Sequence, residues 1–344
     1  MKFEAVTIKD IAKALGLSTS TVSRALRDSY EISPETKKMV LECAEKLNYR
    51  PNPIALSLKE RKTRSIGVVV CEIANAFFSQ IIGGIEKVAY DRGYNIIISQ
   101  SNESYDREVL DIQNLSSRAI DGLLISVSTE TSDFTHIKQI HDKGLPIVLF
   151  DRVTSELRTH TVIVDNFKGA YEATEHLINN GYKRIAAISN SEFLSISSER
   201  LAGYKEALAA NGIKPDNQYI KHCFYGGMVF SEIEEVINQL MILNEKPDAI
   251  ITLSDKLTTG CLKTFKRRGL KVPDDIAIVG FSNSDLAELT DPPLTVVRQP
   301  AYEMGMAATE LLLQLIQSKR PVTDFEKRIL TPEFITRESG SRKL

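Results

Sequence analysis

The chain has 344 residues, 42% of them hydrophobic, with 43 Lys/Arg against 45 Asp/Glu and a formal net charge of −2. That length predicts two or three domains with apolar material for full cores, and no run approaches the length of an apolar membrane span. The cysteines, Cys43, Cys71, Cys223 and Cys261, form no CxxC pair, which excludes a disulfide framework and fits a reducing compartment.

The near-neutral total hides an asymmetry. Residues 1–64 hold 13 Lys/Arg against 8 Asp/Glu, a balance of +5, and the remainder holds 30 against 37, or −7. A basic N-terminal segment is the electrostatic footprint of a nucleic-acid contact. Met1-Lys2-Phe3-Glu4-Ala5 opens without the apolar core of a signal peptide, so a cytoplasmic protein is expected.

Ile8, Ile11, Ala12 and Leu15 recur at helical spacing behind Thr7, an N-cap with Asp10 as its capping-box partner. Gly16 supplies a turn, Ser18 caps a second helix, and Val22, Ala25 and Leu26 give that helix an inner side. Its outer side carries Thr19, Ser20, Ser23 and Arg24. Two short helices joined by a glycine turn make a helix-turn-helix whose second helix fits the major groove of DNA; an ordinary αα-hairpin is the competing reading. Ser33-Pro34-Glu35-Thr36 starts a third helix, with Met39, Val40, Cys43, Ala44 and Leu47 as its buried stripe. A proline-punctuated segment follows, Tyr49-Arg50-Pro51-Asn52-Pro53-Ile54-Ala55-Leu56-Ser57-Leu58-Lys59, with one or two weak helical turns.

The strings T-I-K-D-I-A, L-S-T-S-T-V-S-R-A-L, I-S-P-E-T, L-N-Y-R-P-N and A-L-S-L stand in the order and at the spacing of the LacI/GalR family of bacterial transcription regulators, which the whole chain resembles. The resemblance implies a head over 1–50, a hinge helix and linker over 51–64, and a two-lobed effector-binding and dimerisation domain over 65–344. It makes the hinge a segment that folds only on operator DNA and wedges a leucine, Leu58 by position, into the minor groove; a turn or two of helix is indeed too short to be stable alone. Thr19, Ser20 and Arg24 are expected at base edges. Thr7, Ser18, Thr21, Ser33 and Thr36 are expected at phosphates, with Asn52, Ala55, Leu58 and Lys59 as the hinge's DNA contacts.

From Ser65 onward, continuous apolar runs such as Ile66–Cys71, Ile96–Ser99, Leu123–Ser126 and Ile147–Phe150 alternate with amphipathic helical patterns, the mark of parallel sheets covered on both faces. The alternation restarts at Val162-Ile163-Val164. The expected fold class is therefore an all-α helix-turn-helix head plus α/β, with two doubly wound parallel-sheet lobes of periplasmic-binding-protein type. Lobe 1 is expected over about 65–161 and 292–322, and lobe 2 over about 162–291 and 323–340. The late return of the chain to lobe 1 comes from the resemblance.

Open parallel sheets bind ligands beyond the carboxyl ends of their strands. The residues there, Asn75, Phe77, Phe78, Asp151, Arg152, Arg200, Asp255, Phe281 and Ser282, are the candidate effector site. Carboxylates and guanidinium groups suit hydroxyl pairs, and phenyl rings cover a sugar's apolar face. Helix capping is an equal reading for Asp255 and Ser282, whereas Asp151, Arg152 and Arg200 have no helix start to serve. By resemblance Arg200 reaches the effector and Asp151 is its acidic partner. Ser254 and Ser282 depart from the family's usual Asn and Asp, which removes any analogy to the lactose or purine type.

No G-x-G-x-x-G, P-loop, H-E-x-x-H or G-x-S-x-G motif is present, and the five histidines lack metal-ligand spacing. No enzyme activity, cofactor, metal or membrane partner is expected. The reading is a homodimeric repressor of carbohydrate genes on near-palindromic operator DNA, controlled by a neutral or phosphorylated sugar. A nucleobase effector, or a sugar-binding receptor without a DNA role, is the alternative. No heptad pattern follows Glu338, so no tail-built tetramer is expected.

Overall fold

The protein's structure, a computed structural model, describes residues 6–50 and 62–342. It divides into two compact units, Met1–Thr63 and Arg64–Leu344.

The first unit holds α1 (Ile8–Leu15), α2 (Thr19–Ala25) and α3 (Pro34–Lys46). Each start follows its cap residue. The Asp10 carboxylate accepts from the Thr7 amide at 2.8 Å and hydroxyl at 2.7 Å, Ser18 Oγ accepts from the Thr21 amide at 3.0 Å, and Ser33 Oγ accepts from the Thr36 amide at 3.3 Å. These bonds satisfy amides that the first helical turn leaves unpaired. Gly16 ends α1 at φ +65°, a left-handed turn that glycine adopts without cost. Ile11, Val22 and Val40 are fully buried, joined by Ala12, Ala25 and Ala44. Because these six come from all three helices, the core fixes the angle at which α2 is presented.

The second unit opens with β1 (Ser65–Val70), α4 (Ala76–Asp91), β2 (Asn95–Gln100), α5 (Tyr105–Ser117), β3 (Gly122–Ile125), α6 (Thr135–Asp142), β4 (Ile147–Phe150) and β5 (His160–Val164). It continues with α7 (Asn166–Asn179), β6 (Ile185–Ser189), α8 (Ser195–Ala210), β7 (Ile220–His222), α9 (Phe230–Met241), β8 (Ala249–Thr252), α10 (Asp255–Arg268) and β9 (Ala277–Phe281). β10 (Thr295–Arg298), α11 (Ala301–Gln317), β11 (Lys327–Leu330) and β12 (Glu333–Ile335) complete it. The strands form two sheets of the same design, β11-β5-β4-β3-β1-β2 and β12-β10-β9-β8-β6-β7. All pairings are parallel except β10 with β12. Strands with both faces covered by helices bury nearly every side chain, which is why they read as unbroken apolar runs.

Three details differ from the sequence expectation. Val162-Ile163-Val164 does not open the second lobe: β5 pairs with β4, Leu149 opposite Thr161, and stays in the first sheet. The segment after Pro293 does not go straight to the first lobe, because β10 pairs with β9 and only α11 crosses back, packing on α4. Of the last two strands, β11 joins the first sheet beside β5 and only β12 joins the second. The cause is common to all three: an apolar strand flanked by helices looks alike in either sheet, and hydrogen-bond partners choose between them. The chain thus crosses between lobes three times, near Asp165, Gln299 and Thr331.

Two helices of the first lobe touch backbone to backbone. A Cβ on Gly84 of α4 would lie 2.0 Å from the Tyr302 carbonyl of α11, so only glycine allows the two backbones to touch.

Candidate functional site

The head presents one polar face. Thr19 and Ser20 are exposed in the first turn of α2, and Arg24 is exposed one turn further on. Val22 and Ala25 point into the core, so the 3.6-residue period leaves the other side outward. Thr7, Ser18 and Ser33 are exposed caps, and the half-buried Thr21 and Thr36 hydroxyls lie 2.9 Å and 3.1 Å from Ser18 Oγ and Ser33 Oγ. Helix N-termini with open amides and hydroxyls are anion sites of the kind phosphates occupy. Arg24 Nη1 lies 3.1 Å from Glu31 Oε2, a partner not foreseen. The hinge expectations for Asn52, Ala55, Leu58 and Lys59 lie outside the described residues.

In the second unit, buried charges gather at the carboxyl ends of both sheets. Asp151 and Arg152 follow β4 and are 5% and 6% exposed; Arg200, from α8 of the other lobe, is 2% exposed. Asp151 sits at φ +59°, an uncommon backbone for a residue with a Cβ. Burial pushes its carboxyl above the usual carboxylate range, against the pull of Arg152 and Arg200. Arg200 donates from Nε to Asn166 Oδ1 at 2.8 Å, from Nη1 to the Leu253 carbonyl at 2.6 Å and from Nη2 to Gln299 Oε1 at 2.7 Å. Its guanidinium carbon lies 4.0 Å from the centroid of the Phe281 ring. Burial pulls its pKa down to about 10, which leaves it cationic at neutral pH. Asn166 and Gln299 stand at two of the three crossovers, so Arg200 ties α8 to both.

Asp255 and Ser282 meet, Ser282 Oγ donating to Asp255 Oδ1. Burial raises the Asp255 carboxyl, while the Ser282 hydrogen bond and Lys256 work in the opposite direction. Lys256 reaches across to the first lobe, 2.7 Å from Glu72. A second bridge joins Gln80 to Asn283, which donates to Gln80 Oε1 at 2.8 Å and to the Gln299 carbonyl at 2.7 Å. Asn75 caps α4, its side chain accepting from the Phe77 amide at 2.9 Å. Phe77 and Phe78 both lie in the first-lobe core, paired edge to face at 5.3 Å, and Phe281 lies in the second-lobe core. The structure therefore places Asp151 and Arg152 of one lobe within electrostatic reach of Arg200 from the other, sets Asp255 with Ser282, and packs the three phenyl rings inward.

Sequence reasoning did not pair Arg152 with Glu103, whose carboxylate grips it, or Arg200 with Asn166 and Gln299. Only a long-range contact reveals them, although Asn166 and Gln299 do follow strand ends. It also missed exposed rings on a loop after β7, Phe224 and Tyr225, next to Gly226, where a Cβ would come 3.3 Å from Glu103 of the opposite lobe. Among the described residues no cluster of metal-ligand side chains and no helix long and apolar enough to cross a membrane is present.

Residues 7–52 match the family described as bacterial regulatory proteins, lacI family, and residues 174–340 match the periplasmic binding protein-like domain. The chain is 36% identical over 336 residues to the HTH-type transcriptional repressor CytR of Escherichia coli K12, covering 97% of this chain and 96% of that protein. It is 33% identical over 315 residues to catabolite control protein A of Priestia megaterium, covering 91% and 93%. Among solved structures it resembles the lac repressor dimer bound to operator and the anti-inducer ONPF, with a TM-score of 0.82 at 25% identity over 98% of this chain and 100% of that one. It also resembles the complex of the transcriptional regulator CelR with cellobiose, with a TM-score of 0.72 at 28% identity over 97% and 99%.

Proposed function

The chain belongs to the LacI family of bacterial regulatory proteins and is a DNA-binding transcriptional repressor of that family, and from that premise we propose that its operator affinity is set by a small polar effector held between the two lobes. The observation that carries the proposal is that Asp151 and Arg152 of one lobe and Arg200 of the other are all buried, with both arginines acting electrostatically on the Asp151 carboxyl, in the region of the strand ends where open sheets bind ligands. Buried charge of this kind is costly to maintain and marks a binding site more readily than a stabilising contact. A sugar is the first choice of effector, and carbohydrate metabolism the first choice of regulated genes. Arg200 links the cleft to the crossovers through Asn166 and Gln299, so a ligand that contacts Arg200 biases how far the lobes close.

Two heads are required for specificity, because one helix reads only a few base pairs. The working form is therefore a homodimer on a near-palindromic operator, with Thr19, Ser20 and Arg24 at base edges. Asn52, Ala55, Leu58 and Lys59 complete the DNA contact by resemblance alone. A nucleobase-containing effector is the second reading, favoured by the exposed Phe224 and Tyr225 rings beside the cleft mouth.

The test is a thermal-shift screen of sugars, nucleobases and nucleosides, followed by operator titration. A ligand at a hundred times its Kd adds about 2.7 kcal/mol of stability, and the same ligand must change operator affinity. Stabilisation without any change in operator affinity would refute the coupling.

A further inference from the structure

Two buried arginines in a cleft ordinarily mark an anion site, since a guanidinium offers a fork matched to phosphate or carboxylate. Here both forks are occupied. Arg152 Nη1 and Nη2 donate to Glu103 Oε2 and Oε1 at 2.6 Å and 2.9 Å, and Nη1 also reaches the Val127 carbonyl at 3.2 Å. Glu103 is held in place in turn: Oε2 accepts from the Thr129 amide at 2.8 Å, and the residue sits at φ +60°, a left-handed backbone that a non-glycine residue keeps only where its surroundings enforce it. Every nitrogen of Arg200 has a protein acceptor, and in Arg152 only Nε, outside the two-pronged end, is without one among the described residues.

The free capacity lies in a carboxylate and in neutral hydroxyls. A carboxylate accepts up to about four hydrogen bonds, and Asp255 has one hydrogen-bond donor among the described residues, Ser282. The buried hydroxyls of Ser101, Thr129 and Ser189, at or just beyond the carboxyl ends of β2, β3 and β6, have no partner among the described residues. A ligand hydroxyl, which both donates and accepts, can serve the spare lone pairs of Asp255 and these hydroxyls alike, whereas a phosphate brings only charge for which no guanidinium fork is open.

We infer that the Glu103–Arg152 pair makes this cleft selective against anions, so that the effector is an uncharged, hydroxyl-donating molecule, a neutral sugar or nucleoside and not its phosphate ester. The inference rests on the cleft being the effector site. It assigns Glu103 the role of specificity determinant: by saturating Arg152 it removes the positive fork a phosphate would seek.

Glucose, ribose, adenosine and uridine are each compared with glucose 6-phosphate, ribose 5-phosphate, AMP and UMP, using the full chain, with calorimetric Kd and operator affinity as paired readouts. A neutral compound is expected to bind and shift operator affinity, with its phosphate ester at least 100-fold weaker. Glu103→Gln removes the charge but keeps an acceptor, and should narrow that ratio at least tenfold. A phosphate ester that binds the unmodified protein as tightly as its neutral parent overturns the inference whether or not the variant folds, as does an unchanged ratio in a folded Glu103→Gln protein. If no compound of either class binds or moves operator affinity, the effector reading fails and this inference fails with it.

Discussion

Replacing Arg200 with alanine tests whether the cleft is built as described, through stability alone. The substitution removes three hydrogen bonds and leaves Asn166 Oδ1, Gln299 Oε1 and the Leu253 carbonyl without their donor in a site where Arg200 itself is 2% exposed. A buried acceptor left unmade costs about 1–3 kcal/mol, so three such acceptors together cost about 3 kcal/mol or somewhat more, and Asp151 loses a cationic neighbour at the same time. Taking about 3–5 kcal/mol, and roughly 2–4 °C per kcal/mol for a unit of this size, the transition should fall by roughly 6–20 °C. Differential scanning calorimetry of the full chain measures it, with Lys205→Ala, an exposed position on the same helix, as a control expected to change little. Arg200→Lys should fall between, since one ammonium cannot reach three acceptors in the guanidinium's directions. A drop under about 2 °C in Arg200→Ala would mean that the three bonds do not form, and the reasoning would be wrong.

Arg24→Ala should weaken operator binding roughly 5- to 150-fold and relax preference at one position of each half-site, because a good base contact is worth about 1–3 kcal/mol; selection from a random library returning the original consensus would refute the assignment. Glu31→Gln should leave the fold unchanged and tighten operator binding a few-fold, because it frees Arg24 from an exposed ion pair of 3.1 Å whose worth is small; weaker binding in an anisotropy titration would contradict it. Asp255→Asn should raise the melting temperature at neutral pH. Its folded-state carboxyl is raised by burial, so the folded protein holds that proton more tightly than the unfolded chain does, and stability falls as pH rises from the ordinary carboxylate range through the raised value. The gain from the substitution should vanish toward pH 3, and a gain independent of pH would show that charge is not its cause.

What the sequence revealed and what it concealed divide along a physical line. Ser18 and Ser33 could be recognised as caps because a cap is a local contract between a hydroxyl and an amide three residues on. The apolar runs of β1, β3 and β4 were legible because both faces of a parallel strand are covered. Sheet membership of β5, β10 and β11 was not, since either sheet offers the same apolar surroundings. Within the cleft, Asp151, Arg152 and Arg200 stood out as charges following strands or lying inward on a helix. Glu103 did not, because it lies in a polar turn 49 positions before its partner and nothing local to either residue announces the pair. The rings of Phe77 and Phe78 were expected against a ligand and are packed into the core instead, where a phenyl ring is most often found.

The most direct test of the central claim is operator recognition by the intact protein. Binding selection from random duplexes, followed by anisotropy titration at one fixed salt concentration, should return a near-palindromic site with two half-sites. That site should bind at least about 10³-fold more tightly than a scrambled duplex of the same composition, and an effector from the ligand screen should change the first affinity while leaving the second as it was. Equal affinity for the selected and scrambled duplexes, or a selected site without two-fold symmetry, would contradict the account.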